Sequence, residues 1–309
     1  MYICVYLNPT IDRTIYLQQL EKGKINRTQR FAETPSGKAL NVAVALRQLG
    51  EEAMLAGVLP AKDGRIAKRL EEYGVLHSCK EADAAPRYNI KLVDMGDATL
   101  TEVNEAGAVL PQALLCEIMQ DIAHMAKKGD TVVLTGSLPP GCPKEYYATL
   151  IGLLNAKGVY CALDAEGEVL ALGMKRKPLI IKPNLHELRG VVSPKSDGVV
   201  ELALACREIA QSGIRYVALT LGERGALLCS REEAFYAPAL ALPVQSTVGA
   251  GDAMLAGILT HLEQGMECAL RAGAAYASAA VLQEGTDYPN RETFWPFYDR
   301  IRIEKVGYL

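Results

Sequence analysis

Short apolar runs alternate with helix-like stretches from one end of this sequence to the other, and that rhythm restricts the fold more than any other feature. The strand-like runs are Tyr2–Leu7, Ala53–Val58, Thr131–Leu134, Val159–Leu163, Leu179–Ile181, Tyr216–Thr220 and Ala226–Cys229. Apart from Thr131 and Thr220 at their ends they are apolar instead of alternating with polar residues, as strands covered on both faces are. The stretches between them predict helices over Lys38–Leu49, Gly64–Tyr73, Gln112–Met125, Lys144–Asn155, Asp197–Gln211, Asp252–Glu263 and Ala269–Leu282. No Ser-, Pro- or Gly-rich linker divides the series, so the 309 residues read as a single domain, 1–309. The expected class is α/β, a mainly parallel sheet with helices on both faces.

Two regions break the rhythm. Arg13–Gln18 with Thr28–Ala32, and Tyr88–Val93 with Thr99–Val103, alternate apolar and polar residues like half-exposed strands. These segments, near 12–35 and 87–104, predict a small β-sheet beside the main one. Two readings stand: a lid over a ligand site at the carboxyl edge of the parallel sheet, or two ordinary surface hairpins.

Charge and composition argue against several classes of function. A formal net charge of −3 disfavours a nucleic acid or an acidic membrane as partner. The one short cationic cluster, Lys175–Lys177, reads as a solvated helix end. The first residues, MYICVYLNP, hold no basic leader, and no apolar stretch approaches the roughly 20 residues of a membrane helix. The eight Cys include no C-x-x-C pair, and the four His form no H-E-x-x-H, so a zinc site is not expected. Dispersed cysteines read as reduced core residues and point to the cytoplasm.

Chemistry concentrates in Ser246-Thr-Val-Gly-Ala-Gly-Asp252, which runs into a helical stretch. Gly249 and Gly251 around Ala250 let successive N–H groups face one way, and the helix that follows adds the positive end of its dipole. That arrangement makes an anion hole suited to a phosphoryl group in transfer. A carboxylate beside the hole would repel a resting anion, but it suits a base that takes the proton of an attacking hydroxyl. The competing reading makes Asp252 a first-turn helix residue complementing the dipole after a tight glycine turn. A G-x-G-x-x-G fingerprint would need glycine at Met254, and no G-x-x-x-x-G-K-[ST] loop occurs.

The segment resembles the T-x-G-A-G-D signature of the PfkB-type, ribokinase-like carbohydrate kinases, and further motifs follow in that family's order across nearly the whole chain. Leu7-Asn-Pro-Thr-Ile-Asp12 resembles its first strand, and Ser36-Gly-Lys-Ala-Leu-Asn41 its G-G-K-G-x-N segment. Arg87-Tyr-Asn-Ile-Lys-Leu, Thr101-Glu-Val-Asn-Glu-Ala-Gly107 and Thr135-Gly-Ser-Leu-Pro-Pro-Gly141 resemble the branch that holds 1-phosphofructokinase and tagatose-6-phosphate kinase. Lys182-Pro-Asn-Leu-His-Glu187 and Thr220-Leu-Gly-Glu-Arg-Gly225 resemble its K-P-N-x-x-E segment and nucleotide loop. Ser36 and Ala39 stand where that family has glycine, which bears on the acceptor more than on the reaction.

The resemblance implies a role for each candidate, and each has a plainer alternative. Asp12 would bind sugar hydroxyls, or only form a turn. Gly37, Lys38 and Asn41 lie at a loop-to-helix junction, where glycine allows close backbone approach, Lys38 supplies a cation and Asn41 can bond hydroxyls. Arg87 would hold the acceptor's phosphate with its planar fork, or stand solvated at a strand end. Ser137 would reach the same phosphate, or serve the turn before two prolines. Asn184 and Glu187, three apart, would hold Mg²⁺ through water beside Lys182 and the nucleotide phosphates, or cap a helix. Thr220, Gly222, Arg224 and Gly225 would bind ATP, or make a β-turn. Ser246, Val248, Ala280 and Gly285 match positions that hold a monovalent cation, K⁺, by backbone oxygens in some relatives.

The expected activity is therefore ATP-dependent phosphorylation of a sugar phosphate, with Asp252 as general base and Gly249, Ala250 and Gly251 as the hole. Fructose 1-phosphate going to fructose 1,6-bisphosphate is the leading acceptor. The alternatives are tagatose 6-phosphate, another sugar or a nucleoside, and, from a different class, a non-catalytic sensor of sugar phosphate and ATP. The resemblance also implies a homodimer formed through the lid.

Overall fold

The structure of the protein, a computed structural model, describes residues 1–283 and 287–307. In chain order, β1 (Tyr2–Tyr6) leads to β2 (Thr10–Leu17), β3 (Arg30–Ser36), α1 (Lys38–Gln48), β4 (Ala53–Pro60), α2 (Arg65–Glu72) and β5 (Leu76–Ala82). A hairpin of β6 (Arg87–Asp94) and β7 (Thr99–Asn104) precedes α3 (Gln112–Met125), β8 (Thr131–Thr135), α4 (Tyr146–Asn155) and β9 (Tyr160–Asp164). Next come α5 (Gly167–Met174), β10 (Ile180–Ile181), α6 (Leu185–Arg189), α7 (Val199–Gln211), β11 (Tyr216–Thr220), β12 (Ala226–Cys229) and β13 (Ala234–Ala237). The chain closes with α8 (Ala250–His261), α9 (Met266–Ala280), α10 (Arg291–Tyr298) and β14 (Glu304–Val306).

The main sheet has the order β14-β13-β12-β11-β10-β9-β8-β1-β4-β5. From β11 to β5 every neighbour is parallel, while β12, β13 and β14 add an antiparallel edge. Alternate residues of β1 divide between two cores. Cys4 and Tyr6 pack with α1, α8 and α9, whereas Ile3 and Val5 pack with α3, α4 and α7. Coverage on both faces is why the inner strands read as unbroken apolar runs.

The strands missing from the sequence reading lie toward the sheet's edges. β5 is Leu-His-Ser-Cys-Lys-Glu-Ala with its first residues exposed, and β14 is three residues long. α6 is too short for periodicity to register, and α10 carries Pro296 inside it. α8 begins at Ala250, two residues before the predicted start, so Asp252 sits within the first turn. Four cysteines, at 4, 161, 206 and 229, are core residues as expected; Cys116 is exposed and the rest are half-buried. Among the described residues no helix is long and apolar enough to cross a membrane.

The two alternating regions do form a separate four-stranded sheet, in the order β3-β2-β6-β7. β2 pairs antiparallel with β3 and parallel with β6, and β6 pairs antiparallel with β7. This register aligns Asp12 with Asn89 and Asn104, and Thr14 with Lys91 and Glu102, on one face. Ile15 with Phe31 and Leu92, and Ile90 with Val103, fall on the other. One face is thus polar and the other largely apolar. Arg65 at the start of α2 ties this sheet to the main body through Glu33 (2.6 Å) and the Tyr88 hydroxyl (3.2 Å).

Candidate active site

Parallel strands end together, so whatever follows their carboxyl ends is gathered at one edge. Here Asn8 after β1, Ser137 after β8, Asp164 at the end of β9, Lys182 after β10 and Thr220 at the end of β11 line one cavity of about 520 Å³. Gly37 before α1 and Gly249 before α8 face the same space, and the polar face of the small sheet lines it with Asp12, Asn89 and Lys91.

Gly249 adopts a left-handed conformation (φ 77°), which turns the chain into α8 and leaves that helix's first N–H groups at the cavity. The buried Tyr288 hydroxyl holds the Gly249 carbonyl at 3.3 Å. At Gly251 a Cβ would come within 3.4 Å of the Lys182 ammonium, so a bare backbone keeps room for it. The Ala250 N–H points back to the Thr247 carbonyl (3.3 Å), and Ala250 lines the neighbouring cavity.

Asp252 is 5% exposed, and its Oδ2 accepts from Asn41 Nδ2 at 2.9 Å. Burial, aided by the nearby Asp164 carboxylate, pushes its pKa up to about 6 against the pull of Lys38, Asn41 and Lys182. Asp164 is wholly buried and takes the Lys38 ammonium at 3.1 Å, Lys182 at 3.3 Å and the Thr135 hydroxyl at 3.2 Å. Burial raises its carboxyl, but Lys182 and Lys38 outweigh that and hold it below the usual carboxylate range. The Lys38 side chain is enclosed by protein yet open to the cavity (41% exposed). Burial lowers its ammonium, and Asp164, Asp252 and Glu187 more than offset this, leaving it above the usual lysine range.

On the small-sheet side, Asp12 is buried and accepts from Lys91 Nζ at 2.5 Å and Asn89 Nδ2 at 3.2 Å. Arg87 stands at the rim, donating to the Thr10 hydroxyl and the Glu105 carbonyl, both at 3.0 Å. Ser137 Oγ accepts from Asn8 Nδ2 at 3.2 Å.

Asn184 and Glu187 line the cavity and also cap α6 reciprocally. Each side chain accepts from the other's backbone N–H at 2.8 Å. The two readings are compatible for Glu187, whose second carboxylate oxygen is not used by the cap, whereas the single amide oxygen of Asn184 already accepts there and keeps one lone pair.

A second cavity of about 930 Å³ adjoins the first, and the two share Asn184, Thr220 and Gly251. Its walls are the Gly222–Gly225 loop, the apolar segment 237–242 and the Met254, Ala274 and Ala277 faces of α8 and α9. Gly225 is required here: at φ 99° its Cβ would lie 2.0 Å from the Ala237 carbonyl oxygen.

Arg224 differs from expectation, because it lines neither cavity and its guanidinium turns away to the Asp197 carbonyl at 2.5 Å. Among the positions matched to a cation site, Val248 faces the first cavity while Ser246 and Ala280 line neither. The Ala280 carbonyl accepts from the Gln283 N–H at 3.0 Å, and Gly285 lies outside the described residues.

Sequence reasoning missed Asp164, Lys91 and the apolar walls of the second cavity. Asp164 had a signal, a carboxylate closing the apolar run Val159–Leu163. Lys91 had one too, since period-2 alternation puts it on the same strand face as Arg87. The apolar walls carry no chemical signature that separates them from core.

With this geometry in view, the comparisons are specific. The chain matches the pfkB family carbohydrate kinase description over residues 5–293. It is 32% identical to the 1-phosphofructokinase of Rhodobacter capsulatus over 292 residues, 93% of this chain and 92% of that one. It is 27% identical to the tagatose-6-phosphate kinase of Staphylococcus epidermidis, covering 99% of this chain and 100% of that one. Among solved structures, phosphofructokinase-2 from Escherichia coli with substrates and products superposes with a TM-score of 0.89 at 27% identity, over 97% of this chain and 98% of that one. The same enzyme in complex with potassium gives 0.87 at 27% identity, with the same coverage.

The buried carboxylate leads to a stability prediction. Asp252 has a folded-state pKa raised from 3.8 to about 6, so its ionisation opposes folding as pH climbs from about 4 to 6 and by a constant amount above. Asp252→Asn is expected to raise stability at pH 8 by roughly 1–3 kcal/mol, with the gain vanishing below about pH 4. Denaturant titrations of both proteins at several pH values measure it; a loss of stability at pH 8 would contradict the electrostatic picture.

Proposed function

The chain belongs to the pfkB family of carbohydrate kinases, and from that premise we propose that it transfers the γ-phosphoryl group of ATP to a hydroxyl of a phosphorylated ketohexose. Fructose 1-phosphate is the leading acceptor and tagatose 6-phosphate the second. One observation carries the reading: two cavities meet at the N-terminus of α8, with the buried Asp252 carboxylate in that helix's first turn. The apolar cavity suits the base and ribose of a nucleotide, and the polar one suits a sugar phosphate. The phosphoryl group then crosses at the glycines between them.

Each residue has work to do in that transfer. Asp252 takes the proton of the acceptor hydroxyl as its oxygen bonds to the γ-phosphorus and the bond to the β-phosphate oxygen breaks. With a pKa of about 6 it is ionised at neutral pH and still a better base than an ordinary aspartate. Backbone N–H groups at Gly249, Ala250 and Gly251 stabilise the charge in transfer, with Ala250 first giving up its bond to Thr247. Lys38 and Lys182, held in place by Asp164, carry positive charge to the same point.

The residues present fit a magnesium ion carried in by the nucleotide. Among the described residues there is no cluster of three His, Cys, Asp or Glu to cage a metal, which agrees with an ion held mainly by phosphates and water. Glu187 and Asn184 would hold it through water. When bound, the ion neutralises charge on the phosphates. A monovalent cation near the Ser246 and Val248 backbone is part of the same proposal, supported by the potassium complex of the E. coli relative. ATP as donor supports a cytoplasmic location.

The small sheet acts as the lid, its polar face closing the acceptor cavity against water. Its apolar face supports the proposal of a homodimer through the lid, because Phe31 and Val103 are 62% and 52% exposed there. Phe31→Lys is expected to shift a wild-type dimer toward monomer in sedimentation velocity. An unchanged dimer would move the interface elsewhere.

Asp252→Asn should keep nucleotide binding while kcat falls at least about 10²–10⁴-fold. In the wild type, kcat/KM should be lost as pH falls through about 6, because only the ionised form accepts the proton. Near-normal turnover in folded Asp252→Asn would sink the mechanism and favour a different base.

Arg87→Ala tests the acceptor. A hydrogen bond to a charged group contributes about 1.5–3 kcal/mol, so kcat/KM for fructose 1-phosphate should drop roughly 10- to 150-fold, and for free fructose hardly at all. An equal loss on both would make Arg87 a support of the lid. A wild type that prefers free sugar would overturn the acceptor assignment.

A further inference from the structure

The strand that carries Arg87 carries two more polar side chains with no part in the chemistry above. Period-2 geometry sets Arg87, Asn89 and Lys91 along one face of β6, roughly 7 Å apart in succession, and all three line the acceptor cavity. The Lys91 side chain is only 8% exposed. Its ammonium donates to Asp12 Oδ2 and to no other group among the described residues, so two of its three donors are unmet.

Asn89 complements it. Its amide nitrogen donates to Asp12 Oδ1 at 3.2 Å, and this fixes the amide's orientation, since a flipped amide would set oxygen against carboxylate. The Asn89 Oδ1 that results is buried and has no hydrogen-bond partner among the described residues. Spare donors and a spare acceptor stand side by side on the wall of a cavity, so a ligand that displaces solvent there must either meet them or leave them unpaired at a cost. A buried ion pair contributes little net stability, so packing alone gives no reason to place one there.

We propose that Lys91 is a specificity-determining residue of the acceptor site. It donates to an anionic oxygen of the phosphorylated acceptor, while Asn89 Oδ1 accepts from a neighbouring hydroxyl and Asp12 keeps both side chains aimed. This rests on the acceptor reading above. It adds a second cation to Arg87, deeper under the small sheet, and gives the site a reason to reject neutral sugars, which leave the spare donors unmet.

The test compares kcat/KM for fructose 1-phosphate and for free fructose in the wild type, Lys91→Met and Lys91→Arg. Lys91→Met should lower the ratio of the two values about 10- to 100-fold, chiefly through KM for the phosphosugar, and Lys91→Arg should restore most of it. An equal loss on both sugars, or no loss, would overturn the proposal and leave Lys91 as a partner of Asp12 alone. If Lys91→Met is poorly folded, the same ratio is read in Asp12→Asn against Asp12→Asn/Lys91→Met, where no carboxylate is left uncompensated. Failure of the acceptor reading shows separately, as a wild type that turns over free fructose better than fructose 1-phosphate.

Discussion

Two ammonium groups converge on one buried carboxylate, and the site is organised around that contact. Lys38 comes from the start of α1 and Lys182 from the end of β10, yet both reach Asp164 at the end of β9. Without Asp164 the two cations would repel each other across a cavity with few ways to relax. With it, two lysines and the carboxylates of Asp164 and Asp252 balance in formal charge. The lysines are then aimed before any phosphate arrives, which is what transition-state stabilisation in a low-dielectric site requires. The cost falls on Asp252, because Asp164 is the principal charge raising its pKa. The interaction that orders the cations is thus also one that tunes the proposed base.

A second constraint concerns how closely backbone can approach backbone. Gly257 of α8 faces the Ala272 carbonyl, where a Cβ would stand 2.7 Å from its oxygen, and Gly273 of α9 faces Ile258 and the Met254 carbonyl with equal tightness. The two helices can lie this near only because their contact is built from small residues. That closeness fixes the axis of α8, and therefore where its N-terminus points. Gly249 and Gly251 then meet the cavity without side chains of their own. The same residue type serves packing at one end of the helix and ligand approach at the other.

The sequence carried the central architecture openly, because strands buried on both faces leave unbroken apolar runs. It was less readable at the edges. β5 has one side toward solvent, and its Lys80 pairs with Glu117 and Asp121, so no apolar run marks it. Within the site, the placing of Asp252 and its glycines at one helix start was legible because they are contiguous in sequence. Asp164 showed only as a carboxylate closing an apolar run, because its importance lies in partners that stand 126 residues away at Lys38 and in the next strand's exit at Lys182. Arg224 shows the opposite case: its loop reaches the second cavity, but its side chain follows the Asp197 carbonyl outward. Sequence placed the backbone and not the rotamer.

Ser36 shows how a departure from a family pattern can be absorbed. A glycine there would offer no side chain, whereas the buried Ser36 hydroxyl reaches Asn41 Oδ1 at 3.4 Å. An amide whose oxygen is engaged on that side must turn its nitrogen the other way, and Asn41 Nδ2 does point at Asp252 Oδ2. The Ser36 carbonyl is itself held by the Tyr6 hydroxyl at 2.7 Å, and the same hydroxyl accepts from the Thr10 N–H at 2.9 Å. The Tyr6 ring lies against Gly37, where a Cβ would come within 2.9 Å of it. A chain of contacts therefore runs from β1 through the β3–α1 junction to the carboxylate at the start of α8. Each hydrogen-bonded link has a buried donor meeting a buried acceptor, so none can turn without leaving another unsatisfied. The serine, itself on the wall of the first cavity, adds a constraint on the orientation of Asn41, and the Asp252 carboxylate is held by an amide that has only one way to face.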